Sequence, residues 1–542
     1  MDAALEAMHT RMYALLRWRM YRKFSSEDLE HPASYNEVDM HKYNMSYFDT
    51  LLEVLRRCVM KELSVPIAAG GKKPIYEQIY DYIKKEIRDK KLRAETKLPS
   101  TRALSAHLNV SRSTVQLAYD QLLSEGYIES RPCKGYYVLK LDGLYDLAAV
   151  ERRVIKHIEK EDEKYEIDFS PSGIELDSFP YNSWRKVSKA VMSGDTGLFN
   201  MGEPQGDFEL RETISGYLHE SRGVNCSPGN IIVGAGDEYL LMLLDQLLAN
   251  SHNKVLSYAM ENPAYRKAYF VLNGIGREVH PIMLDGYGMD CRLLRESDVN
   301  VAYVTPSHQY PMGIVMSIGR RMEMLSWAKE KDDRYIIEDD YDSEFRYRGK
   351  PIPALQGLDK DGKVVYIGTF SKSIAPGLRM SYMVLPDRLM ESYAKVGMRY
   401  SNTVSRIDQN IVNRFIKEGY YERHLNKMRG IYKSKHDVLL GELKKFGDEY
   451  EVSGESAGLH ILLSTDTITE GELVKKAAAK GARVYPLSAH FLETGNERNT
   501  ALNAAETMRK LTGKESTIIL GYARLREDEI VRGTRLLWEA FS

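Results

Sequence analysis

Apolar positions recur in two registers along the chain. Between Ile75 and Lys90 they fall at Ile75, Ile79, Tyr82, Ile83 and Ile87, a spacing of three and four that lines one helical face. Ser100 is placed to cap a second helix through Arg102, Leu104 and Leu108, and Ser111 a third through Val115, Ala118 and Leu122. The stretch from Gly126 to Val138 then reads as two strands around a basic tip. From Glu166 onward the register changes to short apolar runs, at Asn230 to Val233, Lys254 to Tyr258, Val301 to Thr305, Tyr335 to Glu338, Val364 to Gly368 and Ser381 to Leu385. These alternate with helical patterns, which predicts an α/β domain around a mostly parallel sheet. After Tyr400 long helices over Ser405 to Lys444, a few strands and a last helix from Arg526 to Phe541 predict a smaller C-terminal lobe.

Four regions follow. Residues 1–70 hold helix-like stretches at Ala3 to Lys23 and Ser46 to Lys61; residues 71–140 form the three-helix unit with its hairpin; residues 141–165 read as a charged linker; residues 166–542 form the α/β domain, its small lobe spanning about 405–542. Charge sharpens this division. The chain carries 76 Lys+Arg against 77 Asp+Glu, a net charge of −1, which taken alone argues against a nucleic-acid partner. Gly71 to Lys140, however, holds 14 basic and 8 acidic residues, so a basic unit is offset by an acidic remainder. The four cysteines Cys58, Cys133, Cys226 and Cys291 form no CxxC pair, so no metal site and no disulfide framework is expected. No apolar run reaches the ~20 residues of a membrane span, and no export signal is evident, so a cytoplasmic protein is expected.

Two constellations carry chemistry. A helix, a short turn and a second helix opening on Ser111-Arg112-Ser113-Thr114 form a helix-turn-helix whose short polar and basic side chains suit phosphates and base edges in a major groove. In the α/β domain, Thr369-Phe370-Ser371-Lys372 and Arg379 follow a strand and are suited to a phosphorylated aldehyde cofactor. Lys372 is placed to form the imine, and Thr369, Ser371 and Arg379 to hold the phosphate. Upstream, Glu338-Asp339-Asp340-Tyr341 puts a carboxylate at a strand end, where it can keep a pyridine nitrogen protonated. Gly234-Ala235-Gly236-Asp237-Glu238 lies between a strand and a helix, where backbone N–H groups can receive a phosphate.

The run from Leu98 to Val138, with Leu98-Pro99-Ser100-Thr101-Arg102, Glu125-Gly126-Tyr127-Ile128 and Lys134-Gly135-Tyr136-Tyr137-Val138, resembles the winged helix-turn-helix of the GntR family. The resemblance implies that Arg102, Ser111, Arg112, Thr114 and Gln116 face the major groove, and that Lys134 and Gly135 at the wing tip approach the minor groove. The Lys372 and Asp339 segments, with Glu261-Asn262-Pro263-Ala264-Tyr265, resemble the fold type I, aspartate aminotransferase-like enzymes. That resemblance implies pyridoxal 5′-phosphate, with Lys372 as Schiff-base lysine, Asp339 as pyridine partner, Tyr341 at O3′, Arg379 at the phosphate and Tyr265 stacked on the ring; Gly236 and Asp237 belong to the phosphate turn.

The two together have the plan of the MocR/GabR-type transcriptional regulators, which Asn200 to Gly206, Ser307 to Gly313 and Val484 to Ser488 also resemble. The expected protein is a regulator that binds double-stranded operator DNA as a homodimer and senses an amino compound, or the cofactor itself, through aldimine chemistry. The alternative is an active aminotransferase with an autoregulatory DNA-binding unit; a third reading keeps the large domain as a dimerisation scaffold. Tyr310 stands where aminotransferases carry the asparagine of Asn-Pro-x-Gly, and the strand Ile518-Ile519-Leu520-Gly521 lacks the substrate-clamping arginine. Lys267, His490, Arg498 and Arg524 are the candidate replacements. Met60-Lys61-Glu62-Leu63 resembles the start of such regulators, so residues 1–59 are either a mis-assigned extension or a real helical appendage.

Overall fold

The computed structural model describes residues 63, 65–68, 73–140, 165–194, 196–347, 352–455, 457–492 and 508–542. The helices expected at Ala3 to Lys23 and Ser46 to Lys61, and nearly all of the linker, lie outside the described residues. The chain divides into two units, Met1–Lys160 and Glu161–Ser542.

In the first unit α1 (Ile75–Arg88), α2 (Thr101–Leu108) and α3 (Arg112–Ser124) precede β1 (Ile128–Arg131) and β2 (Gly135–Val138). α1 buries Ile79, Ile83 and Ile87, while Ile75, at the frayed end of the same stripe, is exposed. Ser100 Oγ accepts from the Ala103 N–H, and Ser111 Oγ from the Thr114 N–H, each at 3.1 Å, so each hydroxyl satisfies an orphan donor of the helix it opens. Asn109 makes the turn between them in the left-handed region, φ 53°. Leu104, Val115, Ala118, Tyr119, Leu122, Ile128 and Val138 close the core, and the Tyr119 hydroxyl donates to Pro99 O at 2.9 Å. The wing pairs antiparallel from Ile128 opposite Val138 to Arg131 opposite Gly135. Its reversal needs Gly135 at φ 98°, which a Cβ would resist. Leu104 is fully buried, so Leu104→Ala is expected to cost about 2–5 kcal/mol, read as an earlier denaturant transition of the helical signal with cofactor binding unchanged.

The second unit opens with β3 (Ile167–Asp168) and continues through β4 (Ile231–Gly234), β5 (Ser257–Asn262), β6 (Glu278–Asp285), β7 (Gly288–Met289), β8 (Val301–Val304), β9 (Tyr335–Asp340), β10 (Val364–Thr369) and β11 (Ser381–Val384). One sheet takes them in the order β4-β11-β10-β9-β8-β5-β6-β7. The strands from β10 to β6 run parallel, β11 is antiparallel to both β10 and β4, and β7 turns back on β6. Every residue of β4, β8, β9, β10 and β11 is buried, which is why they carry apolar runs, with β9 ending on the carboxylates Glu338, Asp339 and Asp340. β5 begins at Ser257 rather than Lys254, and β6, with only Ile282 and Leu284 buried, is not among the expected strands.

A second sheet, β12-β13-β16-β15, is built from β12 (Tyr450–Ser453), β13 (His460–Thr465), β15 (Tyr485–Pro486) and β16 (Ser516–Gly521), while β14 (Ala482–Arg483) pairs with β3. Leu439, Ile461, Leu463, Ile518, Leu520 and Leu537 fill the smaller lobe's core, and Ile167 and Phe169 enter it. The smaller lobe thus gains a strand from the start of the unit. Helix Arg406–Lys417, expected within that lobe, packs instead on helices Tyr181–Met192 and Phe208–Arg222, because its apolar side carries Ile411, Val412 and Phe415 into their cores. The segment following β3 therefore leaves the smaller lobe and meets the ends of β9 and β10, where parallel strands leave a crevice.

Candidate functional site

A cavity of about 140 Å³ opens at those strand ends, lined by residues that include Asp237, Tyr265, Asp339, Tyr341, Thr369, Ser371, Lys372 and Arg379. Asp339 is the penultimate residue of β9 and is buried. Its Oδ2 accepts from the Tyr303 hydroxyl, and its Oδ1 has no partner. Burial, and then the nearby Asp237 carboxylate, push its carboxyl well above the usual range. A cation placed against Oδ1 would relieve both effects.

Lys372 sits in the turn after β10. Its Nζ donates to Ser172 O at 3.0 Å and Pro171 O at 3.3 Å, in the segment arriving from the smaller lobe. Burial lowers its pKa to about 8, which raises the fraction of neutral, nucleophilic amine near neutrality. Because the folded-state pKa is the lower one, attachment of an aldehyde to Lys372 is expected to accelerate with pH and level off above about 8, whereas an ordinary lysine keeps accelerating toward 10.5. Stopped-flow measurement of the rate against pH checks this.

Thr369 Oγ1 accepts from the Ser381 hydroxyl at 2.8 Å and from the Ser371 N–H at 3.2 Å, which leaves its own proton to donate. The Tyr341 hydroxyl lies 2.9 Å from His308 Nδ1, which also meets the Asp342 carboxylate at 3.0 Å. Tyr310 presents ring edges to Tyr265 and Tyr341, each at 5.8 Å between centroids. His460, on the cavity wall, is kept neutral by burial, its pKa pushed down to about 3.

At the far wall Gly236 caps helix Asp237–His252 with φ 94°. A Cβ there would lie 2.3 Å from Arg379 Nη2, so only glycine lets the guanidinium reach the helix end. The same turn brings in acidic side chains. Arg379 Nη2 donates to Glu238 Oε2 at 2.5 Å, and Asp237 Oδ1 is buried without a partner. Burial raises the Asp237 carboxyl to about 6. The expectation for this turn rested on backbone N–H groups alone.

In the helix-turn-helix, Arg102, Arg112 and Lys134 are exposed. Arg112 Nε reaches Thr101 Oγ1 at 3.4 Å. Ser111, also assigned to the groove, spends its hydroxyl on the helix cap and on Ser113 and Thr114. Gln116 is tied to Asp120 at 2.8 Å and to Tyr136 of the wing at 3.3 Å.

Known proteins match both units. Residues 75–138 fit the profile of bacterial regulatory proteins of the gntR family, and residues 174–510 that of aminotransferase class I and II. The chain is 37% identical over 477 residues to the uncharacterized HTH-type transcriptional regulator YhdI of Bacillus subtilis (strain 168), covering 87% of this chain and 97% of that one. It is 32% identical over 457 residues to the probable rhizopine catabolism regulatory protein MocR of Rhizobium meliloti, covering 81% and 92%. The chain belongs to the MocR-like HTH-type regulators. Its second unit shares the fold of Pyrococcus horikoshii kynurenine aminotransferase, at a TM-score of 0.57 and 25% identity, over 70% of this chain and 91% of that one.

Membership brings pyridoxal 5′-phosphate as cofactor, and the cavity fits it: an amine at Lys372, an unpartnered buried oxygen on Asp339, and a side-chain-free cradle at Gly236 beside Arg379. The gntR-type unit implies DNA binding. Among the candidates for a carboxylate contact, Lys267 lines the cavity; His490 packs edge-on to Tyr310, Arg524 is exposed beneath Gly173, and Arg498 lies outside the described residues. Tyr303, His308 and Glu238 carry no local sequence signal for their contacts, since each meets a site residue more than thirty positions away, and Asp342 joins them through His308. Among the described residues no cluster suits a metal ion and no helix is long and apolar enough to cross a membrane.

Proposed function

We propose that this regulator couples occupancy of the Lys372 cavity by an amino compound, or by the cofactor itself, to its affinity for double-stranded operator DNA. The observation that carries the reading is the convergence of Lys372 and the unpartnered Asp339 oxygen on one cavity, in a chain that also bears a winged helix-turn-helix. Pyridoxal 5′-phosphate, when bound, supplies an aldehyde carbon reactive toward amines and a pyridine ring that withdraws electrons. Lys372 holds that carbon; Asp339 holds a proton at the ring nitrogen; Tyr341 orients the ring oxygen; Tyr265 covers the ring; Arg379, Thr369 and Ser371 hold the phosphate, with Gly236 and Asp237 shaping its turn. Release of Lys372 Nζ from Pro171 O and Ser172 O alters a contact between the lobes, which gives an occupant differential binding to two lobe arrangements.

On the DNA side, Arg102, Arg112 and Thr114 face the groove, Ser111 and Gln116 position the helix and wing, and Lys134 with Gly135 forms the wing tip. A cytoplasmic homodimer is the working form; for the dimer, support comes from exposed Met242 on helix Asp237–His252 and exposed Tyr400, hydrogen-bonded to Gln246 of that helix. The complete Lys372, Asp339 and Arg379 set favours aminotransfer as a second reading. A titration with amino acids and amines, followed by absorbance beside DNA binding, separates them. Regulation predicts a spectral change and a shifted DNA affinity without turnover; repeated keto-acid formation at about 10 per second favours the enzyme.

A further inference from the structure

The phosphate end of the cavity holds carboxylates as well as cations. Glu238 Oε2 accepts from Arg379 Nη2 at 2.5 Å, and the Cβ position of Gly236 lies 2.3 Å from that nitrogen and 2.9 Å from that oxygen. The carboxylate therefore stands at the mouth of the helix N-terminus, on the guanidinium assigned to the phosphate. Asp237 adds a second carboxyl with a buried, unpartnered Oδ1, and Lys267 is the other cation on the same wall. The helix end, Arg379 and Lys267 attract an anion, and Glu238 is an anion already there.

We propose that Glu238 is an internal competitor for the cofactor's phosphate, holding Arg379 until a phosphate monoester displaces it. This rests on the cofactor reading above and deepens it by naming the residue that sets how tightly the phosphate end is held. The pair is half exposed, with side chains 52% and 36% accessible for Arg379 and Glu238, so its own strength is modest and it can open. Its effect on affinity comes mainly from the negative charge left beside an incoming dianion, which an amide in its place would not carry. Nothing in this device acts on the ring or on Lys372, so it discriminates by the phosphate.

The test compares pyridoxal 5′-phosphate with pyridoxal, which lacks the phosphate, on the full-length wild type and on Glu238→Gln, by equilibrium titration with mass detection of the borohydride-reduced adduct at Lys372. The expected result is an affinity for pyridoxal 5′-phosphate that rises about tenfold in Glu238→Gln, with the affinity for pyridoxal unchanged. The unchanged pyridoxal value also shows that the variant is folded. An unchanged or weakened affinity for the phosphorylated form, or an equal gain for both compounds, overturns the competitor. A wild type that attaches neither compound overturns the cofactor reading and this proposal with it, so the two failures are distinguishable.

Discussion

Lys372→Ala is expected to abolish covalent attachment of pyridoxal 5′-phosphate and, with it, any response of DNA binding to amines. The cavity contains two lysines, and their surroundings differ. Lys372 Nζ is desolvated, which brings its pKa down to about 8, and stands at the strand ends with Asp339 and Tyr341. Lys267 lies on the wall shared with Asp237 and Glu238, where a cation serves an anion rather than an aldehyde. Borohydride reduction followed by peptide mass mapping reads the outcome: wild type carries the cofactor on the Lys372 peptide and the variant carries none. Reversible binding through Arg379 and Asp339 persists at reduced affinity. A variant that still carries the cofactor, on Lys267 or elsewhere, removes Lys372 from its role.

Arg112→Ala is expected to weaken binding to a duplex selected by the wild-type protein by about 1–3 kcal/mol, or roughly fivefold to 150-fold, while leaving cofactor attachment intact. Arg112 is the first residue of α3, is exposed, and is steadied by the 3.4 Å contact to Thr101. Its removal takes a guanidinium from the end of the helix proposed to enter the groove and disturbs no core contact. Salt titrations refine the result: a phosphate contact reduces the salt slope by about one and affects all sequences alike, whereas a base contact relaxes sequence preference. Unaltered binding would place the recognition surface elsewhere than the start of α3.

The parts of the fold written in local pattern were legible. The caps at Ser100 and Ser111, the helices they open and the fully buried strands β8 to β11 follow from spacing, because each is fixed by neighbours a few residues away. β6 was not legible, since only Ile282 and Leu284 of its eight residues are buried and the alternation is lost. Helix Arg406–Lys417 shows an apolar face in sequence, yet which lobe receives that face is decided by topology. The site divides the same way. Lys372 and Arg379 share one turn and could be read together, whereas Lys372 reaching Pro171 and Ser172, about two hundred positions earlier, depends on the passage of the chain from β3 to the crevice. Glu238 was visible as a residue of the phosphate turn, and its partner Arg379, 141 positions on, was not. Ser111 carries both signals in one residue: its Oγ accepts the cap hydrogen bond from the Thr114 N–H, and the side chain stays exposed at the start of α3.

In this regulator the Lys372 cavity is proposed to act on the helix-turn-helix of the same chain. Fluorescence anisotropy of a selected duplex, titrated with full-length wild type stripped of cofactor and then with the same protein loaded with pyridoxal 5′-phosphate and a saturating panel of amines, tests it most directly. At least one loaded state is expected to differ from the stripped protein by about fivefold or more in DNA affinity, and Lys372→Ala to show no such shift. Identical affinities across all states, in protein verified to carry the cofactor on Lys372, would contradict it.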